Sequence, residues 1–174
     1  MNTLKSFIRE VPDFPKEGIV FYDVSTLFQQ PEGFRQALDA MEKYVRSIEA
    51  TKIVAIESRG FIFGAALADR MNLPLVPARK PGKLPFETIA EEYALEYGTD
   101  KLEMHVDAVE KGERVVIVDD LIATGGTLVA VCALVERLGG VVAGISAVIA
   151  LTFLPFAEKL SKYDVNYLIA YDTE

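Results

Sequence analysis

The chain has 174 residues, a formal net charge of −8, one cysteine and one histidine. That length suits one domain able to bury a substantial core without staples, and a lone Cys132 excludes an internal disulfide. The acidic balance argues against a nucleic-acid partner, which normally needs a basic stripe. The opening Met-Asn-Thr-Leu-Lys-Ser has no apolar signal core, and no run approaches membrane-spanning length. A soluble cytoplasmic protein with no membrane partner is therefore expected.

In chain order, a short helix is expected near residues 3–8, then an irregular Pro-bearing segment at 11–18 and an extended piece at 19–22. Phe34, Leu38, Met41, Val45 and Ile48 recur at helical spacing and predict a long amphipathic helix over 32–48. Strands are predicted near 52–57, 74–78, 115–119, 141–150 and 165–170, with helices near 60–70, 128–138 and 155–161. Cys132 shares the apolar face of the 128–138 helix with Leu128, Val131, Val135 and Leu138, so it reads as a core residue. Strands alternating with helices indicate βαβ units, hence an α/β fold with a mostly parallel central sheet flanked by helices. Residues 80–105 fit neither period and carry Pro81, Gly82, Pro85 and Gly98. They are expected as a long polar loop of the kind that serves as a lid. His105 has no histidine or cysteine at metal-binding spacing and is expected on the surface.

Residues 115–127, Val-Val-Ile-Val-Asp-Asp-Leu-Ile-Ala-Thr-Gly-Gly-Thr, carry the strongest chemical signal. Val115 to Val118 are all β-branched and apolar, as in a strand buried on both faces. Asp119 and Asp120 stand where that strand should emerge, ahead of a small-residue loop and a helix that Gly139-Gly140 ends. Ligands of open α/β sheets bind beyond the carboxyl ends of the strands, and a helix N-terminus reached through glycines is a ready anion site. Ala123, Thr124, Gly125, Gly126 and Thr127 thus offer backbone N–H groups and two hydroxyls to a phosphate. The adjacent carboxylates can accept hydrogen bonds from a sugar diol. A phosphate beside a diol describes a ribose 5-phosphate. No lysine follows the glycines, so this is not a Walker loop, and Gly-x-Gly-x-x-Gly does not occur.

Ile53 to Ile56 repeat the plan: a buried strand, the tight turn Glu57-Ser58-Arg59-Gly60, and a helix apolar almost all round. Ser58 and Arg59 suit a diphosphate, since a planar guanidinium can bridge two oxygens; Arg59 could instead hold a structural ion pair. From Arg70 to Phe86 there is no acidic residue, while Arg70, Arg79, Lys80 and Lys83 form a basic island that could meet a polyanion. Displacing diphosphate from C1 of a ribose passes through an oxocarbenium-like state. Mg²⁺ carried on the substrate oxygens, with few protein ligands, fits the need to neutralise the leaving group. Asp119 and Asp120 could alternatively bind such an ion directly.

The 115–127 segment resembles the 5-phosphoribosyl 1-diphosphate (PRPP) signature of type I phosphoribosyltransferases. Four further blocks are similar to the adenine phosphoribosyltransferase family, in order: Pro12-Asp13-Phe14-Pro15 with Gly18 to Asp23, Glu57 to Phe61, Arg79 to Pro85, and Leu95-Glu96-Tyr97-Gly98. Together they cover essentially the whole chain. The resemblance implies a single domain over 1–174, with a small N-terminal hood at 1–31 that binds the base and a flexible lid at 80–105. It implies transfer of the phosphoribosyl group from PRPP to adenine, giving AMP and pyrophosphate with Mg²⁺, in a homodimer. It places Asp119 and Asp120 on the ribose hydroxyls, Arg59 in a strained pyrophosphate turn with a non-proline cis peptide, and the base against Val20, Phe21, Tyr22 and Leu121. Phe21 would stack, and backbone groups of Val20 and Tyr22 would read the base edge. Hypoxanthine–guanine relatives carry a loop aspartate where this chain has Ala123. The lid's Glu96, paired with Tyr97, is then the acid implied to take the base's proton.

Two departures stand out. Leu154-Pro155-Phe156-Ala157 replaces an Asn-Gly-Arg common in bacterial members, and Tyr22 stands where Lys or Arg is common. Arg79 is the candidate to be lent across a dimer interface. A xanthine phosphoribosyltransferase and a non-catalytic PRPP-sensing regulatory domain are the rival readings, the latter lacking any DNA-binding segment here.

Overall fold

Val115 to Val118 have no solvent exposure, and the strand that contains them lies at the centre of its sheet, as a strand apolar on both faces must. The computed structural model describes residues 3–94 and 98–173. Among these, five parallel strands form the central sheet: β3 (Lys52–Ile56), β4 (Leu75–Ala78), β7 (Arg114–Ile122), β8 (Val141–Leu151) and β9 (Val165–Tyr171). Their order is β4-β3-β7-β8-β9. The helices are α1 (Ser25–Phe28), α2 (Pro31–Ser47), α3 (Gly60–Met71), α4 (Gly126–Arg137) and α5 (Phe156–Lys159).

Side chains alternate across the sheet, so each strand feeds two cores. Val115 and Ile117 enter the layer beneath α4, with Val131 and Val135. Val116 and Val118 enter the opposite layer, with Met41 of α2 and Phe63 and Leu67 of α3. Cys132 lies in the first layer, fully buried, and burial pushes its thiol up to about 12. It is core, not a nucleophile.

Close approach of α3 to the sheet depends on glycine. A Cβ on Gly64 would lie 2.5 Å from Ala55 Cβ in β3. Gly64→Ala should therefore cost about 1–3 kcal/mol by overpacking, against the ~1 kcal/mol that alanine gains in a helix. Chemical denaturation should show a lowered midpoint. An unchanged or raised midpoint would mean that α3 can withdraw from β3 without loss.

The N-terminal segment contains a 3-10 turn (Leu4–Phe7) and a two-stranded antiparallel sheet, β1 (Arg9–Pro12) with β2 (Val20–Asp23). The irregular stretch expected at 11–18 thus loses its first two residues to a strand. The larger correction concerns 80–105. In place of a loop, β5 (Thr88–Ala94) and β6 (Thr99–His105) pair residue by residue as an antiparallel hairpin. Tyr93, Leu102 and Met104 are buried on its inner face. Arg137 of α4 ties it down, donating to the Ala90 carbonyl at 2.8 Å and to Glu91 at 2.7 Å. His105 is half-buried instead of on the surface, with its ring edge-on to Phe86. The last short helix covers only Phe156–Lys159 of the expected 155–161.

Candidate active site at the sheet switch point

The chain leaves β3 for β4 on one side and later returns to the other side of β3 as β7. Connections therefore diverge beyond the carboxyl ends of β3 and β7, which is where open α/β sheets leave a crevice. The turn Glu57 to Gly60 caps β3, and Asp119 and Asp120 face it from β7. The two carboxylates were expected where the strand emerges, but β7 continues to Ile122. Both are consequently held by ladder geometry, at 8% and 5% exposure. A Cβ on Gly60 would lie 2.9 Å from the Val118 carbonyl and 3.0 Å from Asp119 Oδ1. Only glycine lets the turn approach the carboxylates so closely.

Two clefts open here. One, of about 260 Å³, is lined by Ala123, Thr124, Gly125 and Thr127 together with Asp119 and Leu121. The loop turns through Gly125 at φ 79°, and α4 starts at Gly126. First-turn N–H groups of a helix have no carbonyl four residues back and are available to an anion. The second cleft, of about 320 Å³, is lined by Ser58, Arg59, Lys80 and Tyr93, and again by Asp119, Asp120, Leu121 and Thr127. The clefts share Asp119, Leu121 and Thr127 and so are adjacent. A third, of about 560 Å³, is lined by Val11, Phe14, Phe21, Asp23, Ser25 and Arg59.

The cations of the second cleft all have partners. Arg59 Nε donates to Asp120 Oδ2 at 2.5 Å, the ion pair that the sequence left open as an alternative. Lys80 Nζ pairs with Asp100 of the hairpin, and its backbone N–H donates to Glu57 Oε2 at 3.1 Å. Arg79 Nε donates to Glu57 Oε2 at 3.0 Å, and its guanidinium lies over Phe61. Arg79 is thus engaged by its own chain's carboxylate. Lys83 is exposed, and neither Arg79 nor Lys83 is among the residues lining the cleft.

Burial shapes the carboxylates differently. It is the main cause that raises the Asp119 pKa well above the ordinary carboxylate value, with the charge of Asp120 next. Burial also pulls Glu57 upward, but the Lys80 N–H and the Arg79 guanidinium outweigh it and hold Glu57 below its usual value.

The remaining predicted residues divide clearly. Ser58 lies in the second cleft, and the Glu57–Ser58 peptide is cis. Phe21 lines the third cleft beside Phe14. Val20 packs against the core, and the Tyr22 side chain is buried under Tyr171, at 3.7 Å between ring centres. Only backbone groups of these two residues could serve a base. Glu96 and Tyr97 lie outside the described residues. The Leu154-Pro155-Phe156-Ala157 departure backs the first cleft: Leu154 lines it, and Phe156 Cβ sits 3.1 Å from where a Cβ on Gly125 would be.

Sequence reasoning missed Glu57 as an organiser of Arg79 and Lys80, Tyr93 as a cleft wall, and Asp100 as the partner of Lys80. Leu102 and Met104 alternate with Lys101, Glu103 and His105, the one signal that could have marked the hairpin, through β6. The Lys80–Asp100 pair left no sequence trace.

The sequence profile of the phosphoribosyl transferase domain matches residues 23–170. Adenine phosphoribosyltransferase of Acetivibrio thermocellus is 56% identical over 169 residues, 97% of this chain and 99% of the relative. The crystal structure of adenine phosphoribosyltransferase from Thermoanaerobacter pseudethanolicus superposes with a TM-score of 0.93 at 50% identity, covering 97% of this chain and 98% of that one. The Saccharomyces cerevisiae enzyme, solved with an imino-altritol bisphosphate and adenine, gives 0.91 at 39% identity, covering 95% and 96%. Sheet order, switch-point clefts and profile together define a phosphoribosyltransferase of the type I fold. Within that class, the chain belongs to the adenine phosphoribosyltransferase family.

Proposed function

We infer that the chain transfers the 5-phosphoribosyl group from PRPP to N9 of adenine, giving AMP and pyrophosphate. The observation that carries this reading is the pair of adjacent clefts meeting at Asp119. One has the walls for a 5′-phosphate, the other for a diphosphate; Asp119 borders both and Asp120 the second, where a ribose diol would lie. The yeast relative's bound adenine supports the choice of base.

The loop Ala123 to Thr127 binds the 5′-phosphate through N–H groups and hydroxyls. Asp119 and Asp120 accept from the ribose hydroxyls, with Leu121 beside them. Ser58, Arg59 and Lys80 receive the diphosphate, and Arg79, Lys83 and Glu57 shape the field around it. Adenine stacks on Phe21, with its edge toward β2, whose pairing with β1 occupies only one side of that strand. Glu96 takes the N9 proton, with Tyr97 beside it in sequence.

Among the described residues, no group of three or more His, Cys, Asp or Glu side chains could hold a metal ion. Of the two carboxylates available, one already pairs with Arg59. That donor set fits Mg²⁺ arriving on the diphosphate oxygens, where it would neutralise charge on the leaving group. A homodimer belongs to the same reading, since a two-fold contact lets an acidic chain gather positive field from two copies. Light scattering across dilution should give a stable dimer mass, and an active monomer would exclude it. The cytoplasm is the compartment proposed.

One spectrophotometric assay tests the function: adenine, PRPP and Mg²⁺ should yield AMP, with xanthine and hypoxanthine competing poorly. Preference for xanthine, or PRPP binding without turnover, would overturn it.

The Asp119 environment also predicts a pH effect. A carboxyl whose folded pKa is raised contributes stability that is fully present below its unfolded pKa, about 3.9, and is lost as pH rises through the folded value. Asp119→Asn cannot ionise, so the unliganded variant should unfold at higher temperature than the parent at pH 8. The gap should be about 2–4 °C for each kcal/mol of ionisation cost relieved, narrowing toward pH 4. A lower Tm for the variant at pH 8 would mean that the Arg59 charge, not burial, governs the pair.

A further inference from the structure

Arg59 stands between two spaces that the reaction needs open together. Its Nε is bonded to Asp120, and its guanidinium carbon lies 5.4 Å from the centre of the Phe21 ring, over the ring face. It lines both the diphosphate cleft and the cleft that holds Phe21. In this position it satisfies the carboxylate meant for the ribose and covers the aromatic face meant for the base. Neither contact involves a phosphate. Asp120 is almost fully buried, so it needs a partner whether or not a ligand is present. The Arg59 side chain is 40% exposed, so packing does not lock it in place.

We propose that Arg59 is a specificity-determining residue that stands in for substrate in the free protein, occupying the base-stacking face and the ribose carboxylate until a diphosphate draws it away. The inference rests on the reading of the cleft as the PRPP and adenine site, and adds a direction of coupling to it. A diphosphate offers the guanidinium several anionic oxygens in bidentate geometry, a better match than one oxygen of a shared carboxylate. When the arginine turns toward it, Asp120 is released to the ribose diol and the Phe21 ring is uncovered. Ribose phosphates that lack a diphosphate must displace Arg59 and offer it nothing in return. Diphosphate and base therefore raise each other's affinity, reciprocally. A purely structural ion pair gives the opposite sign, because its loss would strand Asp120 beside Asp119 and loosen the site for every ligand.

The test is calorimetric titration of adenine into the full chain, with and without inorganic pyrophosphate and Mg²⁺, repeated with Arg59→Ala. AMP is titrated into both proteins without pyrophosphate. In the parent protein, pyrophosphate should tighten adenine binding about 5-fold or more, the lower end of ordinary coupling between sites. In Arg59→Ala, adenine and AMP should bind more tightly than to the parent even without pyrophosphate, and the effect of pyrophosphate on adenine should vanish. Adenine affinity indifferent to pyrophosphate in the parent would overturn the proposal. So would weaker binding of adenine and AMP by a folded variant. The parent titration needs no variant, so it decides the matter even if Arg59→Ala does not fold. A parent protein that makes no AMP from adenine and PRPP refutes the functional reading. One that makes AMP without coupling refutes only the role of Arg59.

Discussion

Glu96→Gln should lower kcat by roughly 10²–10⁴-fold, the usual worth of a positioned general base, with little change in KM for PRPP. Adenine must lose its N9 proton as the glycosidic bond forms, and the resemblance to the family's Glu-Tyr pair assigns that proton to Glu96. The described carboxylates around the clefts are all otherwise engaged. Asp119 accepts from the Asp120 N–H at 2.8 Å, Asp120 is held by Arg59, Glu57 by the Lys80 N–H and Arg79, and Asp23 by the Ser25 N–H at 2.8 Å. Hydrogen bonding from Ser25 is the first cause that lowers the Asp23 pKa, which makes it a poor proton acceptor. Glutamine keeps the shape of the side chain and removes only its basicity. Single-turnover measurement isolates the chemical step from product release, and a near-normal rate there would show that another group or water accepts the proton.

Arg59→Ala should weaken PRPP and pyrophosphate binding by about 2–3 kcal/mol, the scale of lost charge-assisted contacts, or roughly 30- to 150-fold. The turn from Glu57 to Gly60 is fixed by its tight approach to Val118 and Asp119, so truncation beyond Cβ should leave the backbone in place. AMP carries no diphosphate and should lose nothing. The contrast between ligands is the measurement that matters. Parallel loss of PRPP and AMP affinity would mean that the guanidinium supports the whole site rather than the diphosphate end.

The parallel sheet was readable because its strands are continuous apolar runs, and nothing but burial on both faces explains Val115 to Val118 or Ile53 to Ile56. The hairpin at 88–105 was hidden for the converse reason. Its outer positions hold Glu92, Lys101 and Glu103, residues that strands disfavour, and only Ile89, Tyr93, Leu102 and Met104 mark the inner face. The phosphate-sized loop was legible as a local motif, since Thr124 to Thr127 act through neighbouring backbone. The Arg59–Asp120 pair joins residues 61 positions apart. Sequence proposed both members for one site, but their direct bond depends on the β3–β7 neighbourhood, which only the fold supplies.

The pairing of Thr88–Ala94 with Thr99–His105 changes the thermodynamics of any closure over the site. A slack segment would surrender backbone freedom at every turnover, at about 1–2 kcal/mol per residue ordered, and the affinity for substrate would be reduced by that amount. Here the strands are already ordered when the chain folds. Movement of these paired strands as a stiff unit would ask no such ordering of the residues within them, leaving more of the binding energy for substrate.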